Sequence, residues 1–445
     1  MGDVALPYIL PRISDPKLET VKFLNLLSAL HVRRNGSSHV SHSPIDATID
    51  LTTTCQLKCP YCAVGNGTME RPVALMKPER YSHILSSIGD EVFIVWYFST
   101  GEPLLHKHFE SIVSTSKYQE IFSAISTNLS LALSDERIDE LIRSGLGMIS
   151  VSLDGATEQT YSRYRVGGKF DLVLDNIRRL VKRKRELGFK FPLIEWRFLR
   201  FRHNQHEEDR AREMAKSLGV DLIEFFEGPA PHKAKDDEVQ LADMPLKGDY
   251  VEGPAFAMAV RDRRGLLDQF LADEPIMFGP PHARTDERKC DWLYLGAMIY
   301  PDGAVGPCCV SNNKQDDFAN VDDHPTFSDA WNASKFTRAR DLFAQEKSSG
   351  TICDRCPLPA AQTYQFVQKL RGILRIAPPW VLRILDAEPD KFFLKIDRLL
   401  MPHEVGTICS GRLGDRFPEL RRGKPAIPAF HGLKMARHVE TLLTA

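Results

Sequence analysis

Between residues 46 and 228 the chain alternates between short runs suited to strands and longer amphipathic runs suited to helices, and this constrains the fold more than any other feature. The β-branched or aromatic runs are DATIDLTTT (46–54), EVFIVWYFST (91–100), IFSAISTN (121–128), MISVSLDG (148–155), LIEWRFLR (193–200) and DLIEFFEG (221–228). Helical patterns lie between them, clearest at 77–89, 134–145, 170–188 and 206–219. In the 134–145 segment Ser134 is placed to cap the N-terminus, acids fill the first turn, Arg143 lies near the end and Gly145 stops the helix. Six strands alternating with helices predict an α/β fold with a parallel sheet and right-handed crossovers. Such sheets gather functional residues at the C-terminal ends of their strands. The unusual residues of this stretch fall at those ends: Cys55, the Gly101–Glu102–Pro103 turn, Asn128, Asp154 and Arg200.

The rest of the chain reads differently. Residues 1–45 form an N-terminal extension with one helix expected at 17–33, and 46–228 are the strand–helix domain. Residues 229–289, rich in Pro, Asp and Gly, read as a linker. Residues 290–356 are a small cysteine-bearing domain with turn signals, and 357–445 a helical C-terminal extension. In that extension FVQKLRGILRIAPPWVLRIL (366–385) interleaves Lys369, Arg371, Arg375 and Arg383 with apolar residues. Packing against the core with the basic ends snorkelling outward is favoured there over rest on a membrane surface. With 58 basic and 59 acidic residues, a net charge of -1 gives no reason to expect nucleic acid as a partner. No apolar run reaches the roughly 18 residues of a membrane-spanning helix. The start, MGDVALPYILPRISDP, does not read as a secretory signal. The nine cysteines are therefore expected in a reducing, cytoplasmic setting, where thiols more often hold metals than pair.

Three of them, Cys55, Cys59 and Cys62, fall within TCQLKCPYCAV (54–64). Zinc would want a fourth ligand, and the nearest later histidine, His83, lies in a helical pattern. A four-iron cluster can take three thiolates and leave one iron open to a ligand. Spacing alone favours iron–sulfur over zinc and leaves both open.

The spacing Cys55-x3-Cys59-x2-Cys62, with Tyr61 before the last cysteine, resembles the signature of radical S-adenosylmethionine (radical SAM) enzymes. GEPLLH (101–106) resembles that family's GGEP turn, with Thr100 in place of the first glycine; the resemblance implies that Gly101, Glu102 and Pro103 lie at the cofactor's amino group. STN (126–128) and VSLDG (151–155) match the next two strand ends, implying Ser126, Asn128 and Ser152 as cofactor contacts. Arg165, in SRYRVGGKFD, matches an arginine that pairs with the cofactor carboxylate. The resemblance covers about residues 46–228. It implies a partial (β/α)6 barrel and a [4Fe-4S] cluster whose open iron binds S-adenosylmethionine. It also implies reductive cleavage to a 5′-deoxyadenosyl radical that takes hydrogen from a substrate, with electrons from a flavodoxin- or ferredoxin-type donor.

The second cysteine set reads Cys290-x12-Gly303-x4-Cys308, then Cys353-x2-Cys356. A zinc ribbon would use two CxxC knuckles, and only one is present. The first half resembles the SPASM module of radical SAM enzymes. PLPAAQTYQF, after Cys356, lacks the further cysteines of the full module, which makes the whole resemble the shorter twitch form. That resemblance implies one auxiliary [4Fe-4S] cluster on Cys290, Cys308, Cys353 and Cys356, with Cys309 the second choice for the Cys308 position and Cys409 a buried or free thiol. Four thiolates would saturate the cluster and suit it to electron transfer. The leading expectation is thus oxidation of a sugar- or cyclitol-like alcohol, with the auxiliary cluster accepting an electron, as in twitch-bearing dehydrogenases. Second stands SPASM-type peptide maturation through thioether or carbon–carbon crosslinks. Third is a non-catalytic electron carrier, disfavoured by the GEP turn and Arg165. Arg200, His203 and Glu227 are weighed as substrate contacts against plain surface charge, and no catalytic base is assigned.

Overall fold

The computed structural model describes residues 10–227, 240, 242, 251–252, 290–309, 311, 313–345, 348–356, 369–370, 372–374, 376–378 and 380–381. Nearly all of the expected linker, most of the C-terminal extension with Arg371, Arg375 and Arg383, Cys409, and the side chain of Glu227 lie outside the described residues.

Six parallel strands form the partial (β/α)6 barrel: β1 (Asp46–Ile49), β2 (Ile94–Trp96), β3 (Phe122–Thr127), β4 (Met148–Ser152), β5 (Leu193–Arg200) and β6 (Leu222–Glu227). A short β7 (Val251–Glu252) pairs antiparallel with β6. On the opposite edge β8 (Gly296–Ile299) joins β1 in parallel, followed by antiparallel β9 (Ala304–Gly306) and β10 (Ala319–Asn320). The cysteine-bearing segment thus continues the barrel's sheet, giving the order β10-β9-β8-β1-β2-β3-β4-β5-β6-β7.

Helices α2 (Pro78–Ile88), α3 (Phe109–Ser116), α4 (Asp135–Arg143), α5 (Glu158–Tyr164), α6 (Phe170–Glu186) and α7 (Glu208–Leu218) fill the crossovers. Ser134 caps α4 by accepting from the Arg137 N–H at 3.2 Å, as its position predicts. Residues opposite one another in a parallel ladder share a face of the sheet. On the helix-facing side these are Ala47, Val95, Ile149, Val151, Ile194, Trp196 and Ile223, all buried. Phe198 and Arg200 continue that side, and the Arg200 Nε donates to Glu208 of α7 at 2.6 Å. Burial there follows from period-two patterning: apolar side chains meet the apolar stripes of the helices. The other side bears Thr48, Trp96, Ser126, Ser150, Ser152, Glu195, Arg197 and Glu224.

Helix α1 (Pro16–Asn35) closes the end where the strands begin. Asp15 caps it, and Gly36 ends it at φ +65°. Its Lys22 ammonium reaches the Gly89 carbonyl at 3.1 Å, and the Asn25 amide donates to the Ser43 carbonyl at 3.0 Å. Arg33 pairs with Asp291, just before α8 (Trp292–Leu295). In the basic segment Leu370, Ile373, Leu374, Ala377, Trp380 and Val381 are buried. Lys369 there does not snorkel outward; it pairs with buried Asp46, which also accepts from the Trp96 indole at 2.5 Å. Among the described residues, no helix is long and apolar enough to cross a membrane.

Candidate active site

The loop after β1 carries the first cysteine set. Its path is held by backbone hydrogen bonds, Lys58 N–H to the Val166 carbonyl at 2.9 Å and Cys62 N–H to the Cys59 carbonyl at 3.1 Å. Gly65 lies so close that a Cβ there would stand 2.5 Å from the Cys59 nitrogen. Leu57 and Cys59 are buried with Tyr164 of α5 and Phe201, and Cys55, Tyr61 and Cys62 pack against that group. Tyr61 therefore supports the loop, its ring 6.1 Å from those of both Tyr164 and Phe201.

The three thiols form one wall of a half-open cleft. Gly101, Glu102, Ser126, Asn128, Ser152 and Arg165 also line it, so six of the eight cofactor contacts expected from the sequence converge there. Tyr61 and Pro103 are not among the residues lining it; Pro103, buried, starts the short 3-10 helix Pro103–Leu105.

The Gly101 turn is built by close approach. A Cβ on Gly101 would sit 2.2 Å from the Thr52 carbonyl oxygen and 2.6 Å from that of Thr54, so only glycine fits. The Glu102 N–H donates to the Thr54 carbonyl at 2.7 Å, tying this turn to the cysteine loop. The Glu102 carboxylate accepts from the Leu104 N–H (3.1 Å), the Thr127 hydroxyl (2.7 Å) and the Asn128 N–H (2.8 Å). Burial raises its pKa and these three bonds oppose the rise. A carboxylate has about four acceptor sites, so one is left for a donor in the cleft. Thr100, the departure from the family turn, has a physical role. Its N–H and hydroxyl both donate to buried Asp50, four residues after β1 begins. Burial, foremost, pushes the Asp50 carboxyl up to about 7. Asp50 was visible as an acid within an apolar strand run, but its partner was not.

Across the cleft the Arg165 Nε donates to buried Asp154 at 2.5 Å, and the other Asp154 oxygen accepts from the Leu199 N–H at 2.7 Å. One terminal Arg165 nitrogen lies 3.9 Å from the Cys59 sulfur. Asp154–Gly155 is thus more than a tight turn: it anchors the arginine. The Ser126 and Ser152 hydroxyls are 3.2 Å apart on adjacent strands. The Asn128 carbonyl oxygen accepts from the Gln56 amide at 2.8 Å, fixing the side chain beside Cys55. Among the candidate substrate contacts, Arg200 is neither surface charge nor cleft-lining; it is fully buried against α7. His203 stacks on Phe201 at 5.6 Å, and burial first of all holds its pKa down to about 4.

Among the described residues, no three metal-binding side chains converge on a point as one metal ion would need. A four-iron cluster spaces its thiolates more widely than one ion does, and three soft donors on one wall facing an arginine and a glycine turn fit such a cluster with an anionic ligand. Burial pushes the Cys55 thiol up to about 11 and raises Cys59, so iron binding must displace protons.

The second set is built around β9. The Tyr300–Gly303 turn joins β8 to β9, with Gly303 at φ +86°. Cys308 and Cys309 follow β9, and Ser311 donates to the Cys308 carbonyl at 2.7 Å. Cys353 lies in the 3-10 helix Ile352–Arg355, capped by Thr351, with Cys356 at its end. Burial, foremost, raises the Cys290 pKa, and Cys308 and Cys353 add to the rise. Burial likewise raises the Cys309 pKa, with Lys369 opposing the rise.

Residues 49–191 match the Radical SAM superfamily, and residues 290–357 match SPASM, an iron–sulfur cluster-binding domain. Over 333 residues the chain is 26% identical to the PqqA peptide cyclase of Rhodopseudomonas palustris, covering 73% of this chain and 81% of that protein. It is 30% identical over 199 residues to the AdoMet-dependent heme synthase of Methanosarcina barkeri, covering 44% of this chain and 54% of that one. Streptococcus suis SuiB bound to S-adenosylmethionine has a TM-score of 0.48 and 14% identity, over 81% of this chain and 77% of that structure.

Proposed function

From a chain that is a radical SAM enzyme with a SPASM iron–sulfur domain, we propose a peptide-modifying enzyme that forms a crosslink within a peptide substrate. Its cofactors are S-adenosylmethionine and iron–sulfur clusters. The observation that carries the peptide reading is the likeness to the PqqA peptide cyclase, which extends over 81% of that protein rather than over the cysteine loop alone. This ranks crosslinking above the oxidation of a sugar- or cyclitol-like alcohol, which rests on the count of four thiolates in the second set.

In this reading residues 46–228 hold S-adenosylmethionine and residues 290–356 hold the auxiliary [4Fe-4S] cluster. Cys55, Cys59 and Cys62 hold the first cluster. The remaining acceptor site of Glu102 takes an N–H of the cofactor amine, and Arg165, oriented by Asp154, takes its carboxylate. Ser126, Ser152 and Asn128 bond the rest of the cofactor. When bound, this group supplies an acceptor for one hydrogen atom from carbon, and the auxiliary cluster an acceptor for the remaining electron. The chain's own residues place the target carbon and keep water away from it. Cys290, Cys308, Cys353 and Cys356 hold the auxiliary cluster, and a flavodoxin- or ferredoxin-type protein supplies electrons.

The test is anaerobic reconstitution with iron and sulfide, then incubation with S-adenosylmethionine, a reductant and peptides encoded beside the gene. The expected product is a peptide lighter by two hydrogens per crosslink, with 5′-deoxyadenosine formed in step. Turnover of a polyol and of no peptide would overturn the peptide reading; iron uptake with intact cofactor would point to an electron carrier.

A further inference from the structure

The side of the sheet away from the helices carries an unusual number of polar side chains across β3 to β6. Barrel interiors are usually filled by branched apolar side chains. Here Ser126, Ser150 and Glu195 stand opposite one another along one row of the ladder, and Ser152, Arg197 and Glu224 occupy the next. Ser126 and Ser152 line the cofactor cleft. With strands about 4.8 Å apart, Glu195 lies two strands from Ser126, about 10 Å along the same row.

Glu195 and Ser150 are both buried, at 0% and 1% exposure. Both oxygens of the Glu195 carboxylate and the Ser150 hydroxyl lack a hydrogen-bond partner among the described residues. Buried polar groups are nearly always satisfied, so each exception needs an explanation. Two adjacent exceptions on one face of one row leave a buried carboxylate and a buried hydroxyl side by side with unused hydrogen-bonding capacity. A carboxylate only accepts, so its partner must bring donors. Arg197 and Glu224 stand opposite each other in the neighbouring row, a basic residue facing an acidic one. Glu195 has no such opposite number: Ser150 and Leu222 flank it.

Resting on the peptide reading above, we infer that Glu195, with Ser150, is a recognition site for the cationic side chain of a lysine or arginine in the substrate. It would seat that side chain two strands from the cofactor cleft and so choose which neighbouring carbon is presented for hydrogen abstraction. Glu195 is a specificity residue in this scheme and takes no part in the hydrogen transfer.

The experiment uses the reconstituted full-length protein with S-adenosylmethionine, comparing wild type with Glu195→Gln by calorimetry. The probes are lysine capped as N-acetyl and N-methylamide, norleucine with the same caps, and 1,5-diaminopentane, each up to millimolar concentration. Capped lysine should bind the wild type at least tenfold more tightly than E195Q, and capped norleucine should show no such difference. Diaminopentane binding that depends on Glu195, without capped-lysine binding, keeps the cation site and overturns the peptide reading. Equal binding by both proteins, or none by the wild type, overturns the site itself while the peptide assay stands. As a second measurement, E195Q should melt at a higher temperature than wild type without ligand, because it removes a buried carboxylate whose oxygens have no hydrogen-bond partner among the described residues; a lower melting temperature counts against the inference.

Discussion

Replacing Arg165 with Met separates two roles that one guanidinium performs. Its Nε donates to Asp154, whose side chain is fully buried and has one further bond, from the Leu199 N–H. Removing one partner of a buried pair costs about 3–5 kcal/mol, because the other charge is stranded. R165M should lose that much stability in urea unfolding. Burial already raises the Asp154 pKa and Arg165 opposes the rise, so in R165M the carboxyl moves further up. A folded-state pKa raised above the unfolded one contributes stability at low pH that is lost as pH climbs through it. The defect of R165M should therefore be larger at pH 8 than at pH 5. The double variant R165M/D154N strands no charge and should recover most of the loss. The cofactor contact is a different quantity. A hydrogen bond to a charged group contributes about 1.5–3 kcal/mol, or roughly 10–150-fold in Kd. S-adenosylmethionine binding, measured by equilibrium dialysis on reconstituted protein, should weaken by that factor in R165M and stay weak in the double variant. If D154N restored affinity along with stability, Arg165 would serve only Asp154 and its assignment to the cofactor would fall.

Other substitutions test neighbouring parts of the argument. Asp50→Asn removes a carboxyl pushed up to about 7 by burial. Since that shift destabilises the wild type as pH rises from about 4 to 7, D50N should gain about 2.5 kcal/mol relative to wild type between pH 5 and pH 8; a gap independent of pH would refute the assignment. Gly101→Ala drives a Cβ against two backbone carbonyls and should cost about 1–3 kcal/mol and impair cofactor binding; an unchanged affinity would show that the turn does not shape the cleft. Cys308→Ser should lower iron content by about half and Cys309→Ser should leave it intact, as read by iron analysis; the reverse would exchange their roles.

Much of this arrangement was legible residue by residue. The strand at Leu193–Arg200 and the Ser134 cap follow from local patterning, the gathering of Gly101, Glu102 and Asn128 from the rule that parallel sheets put their chemistry at strand ends, and the addition of Ser126, Ser152 and Arg165 from the resemblance to radical SAM enzymes. Alternation along β5 puts Trp196, Phe198 and Arg200 on one face and Glu195 and Arg197 on the other, but by itself does not say which set meets the helices. Arg200 was weighed as a substrate contact and is instead spent on Glu208, because the salt bridge needs α7 beside β5, a neighbour eight residues on whose direction sequence alone does not set. Lys369 likewise turned inward, since its partner Asp46 is 323 residues away.

Sequence by itself determined the parallel α/β barrel, the two cysteine sets and the glycine turn, since each depends on spacing within one short segment or on a periodicity repeated along the chain. Tertiary structure decided which face of the sheet is polar, that Thr100 leans on Asp50, and that β8 extends the barrel's own sheet. Those outcomes depend on contacts between distant segments, where burial and charge compensation select among arrangements that local chemistry allows equally.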